Sequence, residues 1–224
     1  MGNGCYIFGV VSDQICNLVY PQNIQEFLKT NPGILSIKNV VHQCGNKLLD
    51  GSPILKDLLE NVKLYSLENQ LIFTKYDSHH GLELLREFLI NNNIKVYCIL
   101  PTFNQQLIDN EINLFNSDIS GSKLLLTSFS NFQNVIPRNI HQIHVFDGGF
   151  DNIEKLILTI YKYQNYNDTP SLTIHYYISQ SRNNQQPRAD TVLYEKHSQK
   201  LEEDIKLFNE LSLNGNEILK VNDK

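Results

Sequence analysis

Apolar positions along the chain change period several times, and the changes mark out elements. Leu55, Leu58, Leu59 and Val62 recur at i, i+3, i+4 and i+7 behind Ser52-Pro53, a pairing that supplies a helix N-cap and a proline-compatible first turn. Gln70–Phe73 is a short apolar strand, and Thr74–His80 a polar loop. Gly81–Asn91 repeats the helical period through Leu82, Leu85, Phe88 and Leu89, and Ile94–Leu100 is again a strand. Pro101–Asn104 turns the chain into a helix over Gln105–Asn116, whose buried side is expected to carry Leu107, Ile108, Ile112 and Phe115. Ser122–Thr127 and Gln142–Phe146 follow as strands, the first almost continuously apolar, as a strand covered by helices on both faces requires. A helix over Asn152–Tyr163 and a strand over Thr173–Ile178 close the series. Strand, helix, strand, helix, strand, strand, helix and strand is a doubly wound α/β order, in which right-handed crossovers place functional loops at the carboxyl ends of the strands.

The flanks are less regular. Cys5–Val11 reads as a strand, Gln14–Pro21 as an extended segment stopped by proline, Asn23–Lys29 as a helix and Asn31-Pro32-Gly33 as a turn. Residues 34–51 are polar and weakly periodic, which predicts a loop with one turn of helix. Towards the other end, SQSRNNQQPRAD predicts a polar surface loop, and Leu201, Ile205, Phe208 and Ser212 line an amphipathic helix expected to dock on the body. Residues 1–51 are therefore read as an N-terminal segment packing on the lobe, 52–180 as the lobe and 181–224 as the polar loop and C-terminal helix.

Composition narrows the chemistry. With 224 residues, 41% hydrophobic, such a chain can bury roughly 70–75% of its unfolded surface as one domain with an appendage. A net charge of -5 supplies no global basic field, so any nucleic-acid contact must be local. Cys5, Cys16, Cys44 and Cys98 form no C-x-x-C pair and are expected to be small buried hydrophobes. No window offers the roughly 18 apolar residues of a membrane span, and the N-terminus lacks the basic n-region of a signal peptide, so an intracellular protein is expected. Gly2 is not followed by Ser or Thr at position six, which argues against N-myristoylation.

Motifs for the common chemistries are missing. The chain has no G-x-x-x-x-G-K-[ST], G-x-G-x-x-G, H-E-x-x-H or G-x-S-x-G. His79-His80 reads as a solvent-facing pair, His141 and His144 as core or edge histidines, and Asp147 beside Gly148-Gly149 as a turn residue; no metal site is expected.

Order and spacing nevertheless resemble a family. Cys16-Asn-Leu-Val-Tyr-Pro21, Ser52-Pro-Ile-Leu-Lys56, Leu71-Ile-Phe-Thr-Lys75, Gly81–Leu89, Ile94-Lys-Val96, Phe115-Asn-Ser117, Lys123-Leu-Leu-Leu-Thr-Ser128, His141-Gln-Ile-His-Val-Phe-Asp147 and Asp190–Lys196 succeed one another over nearly the whole chain. Together they are similar to the C-terminal RecA-like lobe of superfamily 2 helicases, in particular the Swi/Snf-like ATPases of large DNA viruses, the poxvirus-type early transcription factor and nucleoside triphosphatase group. The resemblance implies a RecA-like α/β lobe with a mostly parallel sheet. It also implies that Thr74 and Lys75 of motif IV, and Thr127 and Ser128 opening motif V, face a nucleic-acid strand, where hydroxyls and a lysine suit phosphate contact without sequence readout.

Two motifs depart from the family pattern. Where motif V should continue with a Gly-rich turn, this chain has Asn131–Pro137, with Asn134 able to take the left-handed conformation. Where motif VI should read Q-x-x-G-R-x-x-R, the chain runs Glu154–Tyr161, so that Leu158 and Tyr161 occupy the arginine positions. An arginine finger contributes about 10³–10⁵ in rate, and neither Leu nor Tyr can stabilise the transition-state charge. Lys155 and Lys162 lie out of register and lack the bidentate fork. The resemblance thus leads to a lobe inactive alone, with no cofactor of its own, contacting a DNA or RNA backbone or a viral helicase or transcription subunit in host cytoplasm, viral factory or virion. The alternative is one half of a split ATPase, to which ATP and Mg would come only with a Walker A lobe on another chain.

Overall fold

The computed structural model describes residues 37–45, 47–75, 81–118, 123–128, 137–146, 157, 158, 160, 172–177, 199, 200, 203 and 206. Its elements are α1 (Ile37–Cys44), α2 (Lys47–Gly51), α3 (Pro53–Leu64), β1 (Gln70–Thr74), α4 (Leu82–Asn91), β2 (Val96–Ile99), α5 (Gln105–Ser117), β3 (Leu124–Ser128), β4 (Gln142–Val145) and β5 (Thr173–Tyr176). The strands form one five-stranded sheet in the order β2-β3-β1-β4-β5 with every pairing parallel, the α/β layout that the periodicity predicts.

Because side chains alternate across a strand, the sheet has two apolar faces and each is covered. Ile72, Cys98, Leu124 and Leu126 pack against Val40, Leu48, Leu55, Leu58, Leu85 and Phe88 of α1 to α4. On the other face Leu71, Phe73, Ile99, Leu125, Ile143 and Val145 pack against Ile112 and Phe115 of α5 and against Ile157 and Ile160. The chain leaves β1 through α4 on the first face and travels past β3 to β2, then returns through α5 on the second face to β3. Reversing both the direction of travel and the covering face conserves the hand of the crossover.

Local chemistry explains where the helices begin. The Ser52 hydroxyl accepts from the Leu55 amide at 3.3 Å, and Pro53 fills the first turn of α3. Ser52→Ala is expected to lower stability by about 1 kcal/mol, read as an earlier urea midpoint at unchanged slope, whereas Ser52→Thr should keep most of it. An unchanged midpoint in the alanine variant would show that the cap is dispensable. Asn104 caps α5 in the same way, accepting from the Leu107 amide at 3.0 Å. At the outer strand, the Glu111 carboxylate accepts from the Cys98 backbone N–H at 2.9 Å. Nearby, Asp118 takes both the Tyr97 hydroxyl at 2.6 Å and the Lys95 ammonium at 2.8 Å.

Three expectations need correction. Residues 34–51 are not a loop: α1 and α2 occupy most of them and bury Val40, Val41, Cys44 and Leu48, with the chain bent between them by Gly45 at φ +50°. Leu107 does not face the core but is 45% exposed. Thr74 is the last residue of β1, not the first of a loop. The elements expected at 5–33 and the polar loop at 179–190 lie outside the described residues. Of the two later helices, residues 157, 158 and 160 and residues 199, 200, 203 and 206 are described, and are helical.

Candidate functional site

In a parallel sheet the crevice forms where connections from adjacent strands leave towards opposite faces. Here that point lies between β1 and β4: the connection after β1 enters α4 on the first face, whereas residues 157, 158 and 160 after β4 lie on the second. Thr74 ends β1 at this point, and the parallel register sets it beside Ser128, which ends β3. With a side-chain period of two, Thr74 and Ser128 share the first face, while Thr127 pairs with Phe73 on the second. The resemblance groups Thr127 with Ser128; the strand separates them across the sheet.

Thr74, Thr127 and Ser128 are buried, and the Thr127 hydroxyl donates to the Ser128 carbonyl at 3.3 Å. Lys75, one residue beyond β1, is exposed. Three buried hydroxyls therefore lie at the sheet's carboxyl end, Thr127 on the face opposite the other two, and exposed Lys75 directly follows Thr74 in sequence. Of the three motif V and motif VI positions, Leu158 is half-buried and packs against the second-face core, whereas Asn134 and Tyr161 lie outside the described residues. His79, His80 and Asp147 lie outside them too. An open groove of about 680 Å³, lined by Asn110, Asn113, Leu114, Asn116, Ser117 and Arg138, sits at the other end of the sheet, where β3 and β4 begin.

A second polar cluster was not foreseen. It is buried on the first face, between α3, β1, β4 and β5. The Gln70 amide donates to the Val62 carbonyl at 2.9 Å and the Tyr65 carbonyl at 2.8 Å. That leaves its oxygen, 2.9 Å from His144 Nε2, as an acceptor, so Nε2 carries the proton. His144 Nδ1 then accepts from the Tyr177 hydroxyl at 2.9 Å, and that hydroxyl accepts from Asn61 at 3.0 Å. Burial, with a contribution from neighbouring His175, pushes His144 down to about 3, so it is neutral at pH 7. Burial likewise holds His175 below the ordinary histidine range and raises the Tyr177 phenol. Next to this chain, His175 Nε2 donates to the Gln142 oxygen at 2.8 Å, and the Gln142 amide donates to Glu68. The two imidazoles stack at 4.8 Å with 12° between their planes. Two histidines and two glutamines inside strands were the signal, and the side chains that pair among them and with Tyr177 and Glu68 lie 33 to 74 residues apart.

Cys44 and Cys98 are buried, as expected of small hydrophobes. Burial raises both thiols, Cys98 to about 12, which keeps them protonated and unreactive. Among the described residues no group of three His, Cys, Asp or Glu could hold a metal ion, and no helix is long and apolar enough to cross a membrane.

No protein-family model matches the chain, and no curated protein matches it. Several solved structures are similar in fold. The SWI2/SNF2 ATPase core of Sulfolobus solfataricus in complex with dsDNA is 15% identical with a TM-score of 0.45, over 70% of this chain and 36% of that one. The C-terminal part of the Fun30 ATPase domain is 14% identical with a TM-score of 0.49, over 80% and 67%. Domain 2 of the DEAD-box helicase Mss116p, bound to an RNA duplex, is 16% identical with a TM-score of 0.38, over 55% and 47%. The chain thus spans about a third of the first of these and about half of the third.

Proposed function

We propose that this chain is a helicase-C-terminal-like lobe that holds a nucleic-acid backbone at the carboxyl ends of β1 and β3, within a viral transcription or replication assembly, and that it does not hydrolyse ATP alone. The observation that carries the reading is that Thr74, which borders the switch point, is paired with Ser128 of the adjacent strand and followed by exposed Lys75. Lys75 supplies the charge a phosphate needs; the buried hydroxyls of Thr74, Thr127 and Ser128 shape and stiffen the floor beneath it. Contact of this kind positions a strand without reading its sequence. Leu158, packed among core side chains at a motif VI arginine position, supports the absence of hydrolysis. ATP and Mg would enter only through a partner lobe.

The test is binding of single-stranded DNA and RNA oligonucleotides across a salt series. A single phosphate contact gives a slope of log K against log salt of about -0.7 for single strands, and Lys75→Ala should remove about that much while leaving the fold intact. A slope of zero in the native chain, or the same slope in the variant, would overturn the reading. ATP hydrolysis by this chain without a partner would refute its second half.

A further inference from the structure

We propose that His144 and His175 form an acid-sensitive latch that fastens β5 to the sheet and releases it when the pair takes up protons. The inference is independent of nucleic-acid binding and rests on how β5 is attached. Among the described residues β5 is the outermost strand on its side, hydrogen-bonded to β4 alone, and Thr173 to Tyr176 are all half-buried. The side-chain cluster adds a further polar hold. Tyr177, just beyond the strand, donates to His144 Nδ1, and His175 stacks flat on the His144 ring and meets the Tyr65 ring at a tilt of 42°, 5.3 Å away.

One partner, the Tyr177 O–H, requires His144 Nδ1 to be unprotonated, and among the described residues no carboxylate bonds directly to either imidazole to favour a charge. From α3 and the turn after it come Asn61, which donates to Tyr177, and the Tyr65 ring; Asp57 bears on Tyr177 and raises its phenol. From β1 comes the Gln70 oxygen, an acceptor already filled by His144 Nε2–H. From β4 comes Gln142, which stands between His175 and the Glu68 carboxylate, so that this carboxylate reaches the pair only through an amide. A proton on His144 Nδ1 would set a donor against the Tyr177 O–H, whose oxygen already accepts from Asn61. The hydroxyl would have to turn away and lose its acceptor. A proton on His175 would place a charge on a half-buried ring stacked on a second imidazole.

Detaching β5 removes all of these constraints together. It hydrates His175 and strips both Tyr177 and the stacked ring from His144, so the two groups recover ordinary histidine affinity for protons. The attached state binds fewer protons than the detached one, and acid therefore favours detachment. Each histidine contributes up to about a tenfold change in the attached-to-detached ratio per pH unit between its ordinary and its lowered pKa. For His144 that window runs from 6.5 down to about 3.

The experiment is residue-resolved amide exchange on the full chain, corrected for intrinsic rates, from about pH 7.5 to about pH 5. The amides of Thr173 and Tyr177, bonded to the His141 and Val145 carbonyls, should lose at least about tenfold protection, whereas those of Gln70 and Phe146, bonded to Lys123 and Phe73, hold theirs. His175→Phe retains a stacking ring without a titrating one and should make the loss shallower. Simultaneous loss of protection in β5 and β1, or an unchanged pH profile in His175→Phe, would overturn the latch. Should that variant fail to fold, ring resonances of the native chain decide: proton uptake by both histidines at ordinary histidine pH, with β5 amides still protected, also overturns it.

Discussion

Phe73→Ala is expected to lower the unfolding free energy by about 3–5 kcal/mol, the loss for emptying an aromatic side chain from a packed interior. Phe73 is fully buried, lies between Thr127 and Val145 on the neighbouring strands, and meets Ile112, Phe115, Ile157 and Ile160 of the second-face core. Against the roughly 5–15 kcal/mol typical of a folded domain, about a fifth or more of the total would go. Phe73→Leu should cost much less, because it leaves a smaller cavity. A loss of less than about 1 kcal/mol in the alanine variant, read from the urea midpoint and slope, would mean that the second-face helices close over the gap. The substitution also separates scaffold from contact. Phe73 and Thr74 face opposite sides of the sheet, so a variant that still folds should retain the Lys75-dependent salt slope.

Gln70→Leu should be nearly as damaging for a different reason, at about 2–4 kcal/mol. Its volume is close to that of glutamine, so little packing changes. What goes is the acceptor for His144 Nε2–H and the donors to the Val62 and Tyr65 carbonyls. A buried polar group left without its partner costs about 1–3 kcal/mol, more than the bond contributed. The diagnostic is the double variant. Gln70→Leu combined with His144→Leu removes both ends of the central bond, and its loss should fall well short of the sum of the two single losses. Strict additivity would show that the two side chains are not energetically coupled.

Much of the architecture was legible because parallel strands must be apolar on both faces. Leu124–Leu126 and Leu71–Phe73 are unbroken apolar runs, and helical spacing flanks them in Leu55–Val62 and Leu82–Leu89. The failures have equally local causes. α1 is only eight residues long, α2 only five, and Gly45 interrupts the helical period between them, so Val40, Val41, Cys44 and Leu48 look unrelated until tertiary contact joins them. Leu107 fits the apolar stripe of α5 by spacing yet stays in solvent, because spacing does not say how far a partner surface extends. At the candidate site, the resemblance named Thr74, Lys75, Thr127 and Ser128, which end or directly follow β1 and β3. It could not show that Thr127 and Ser128 occupy opposite faces, nor that Lys75 alone among the four reaches solvent. The His144 cluster was invisible for a simpler reason: no local pattern encodes a hydrogen bond between side chains 74 residues apart.

The carboxylate of Glu111 at the Cys98 amide bears on how this molecule meets its own copies. An outermost strand with free N–H groups is a template on which another chain can be laid down, and unchecked sheets extend in that way into fibres. Here one donor of β2 is already taken by the helix that follows it, and Asp118 fastens Lys95 and Tyr97 alongside. A second chain pairing at Cys98 would have to evict a charged group first, so among the described residues this part of the sheet's margin is guarded by its own next turn of sequence.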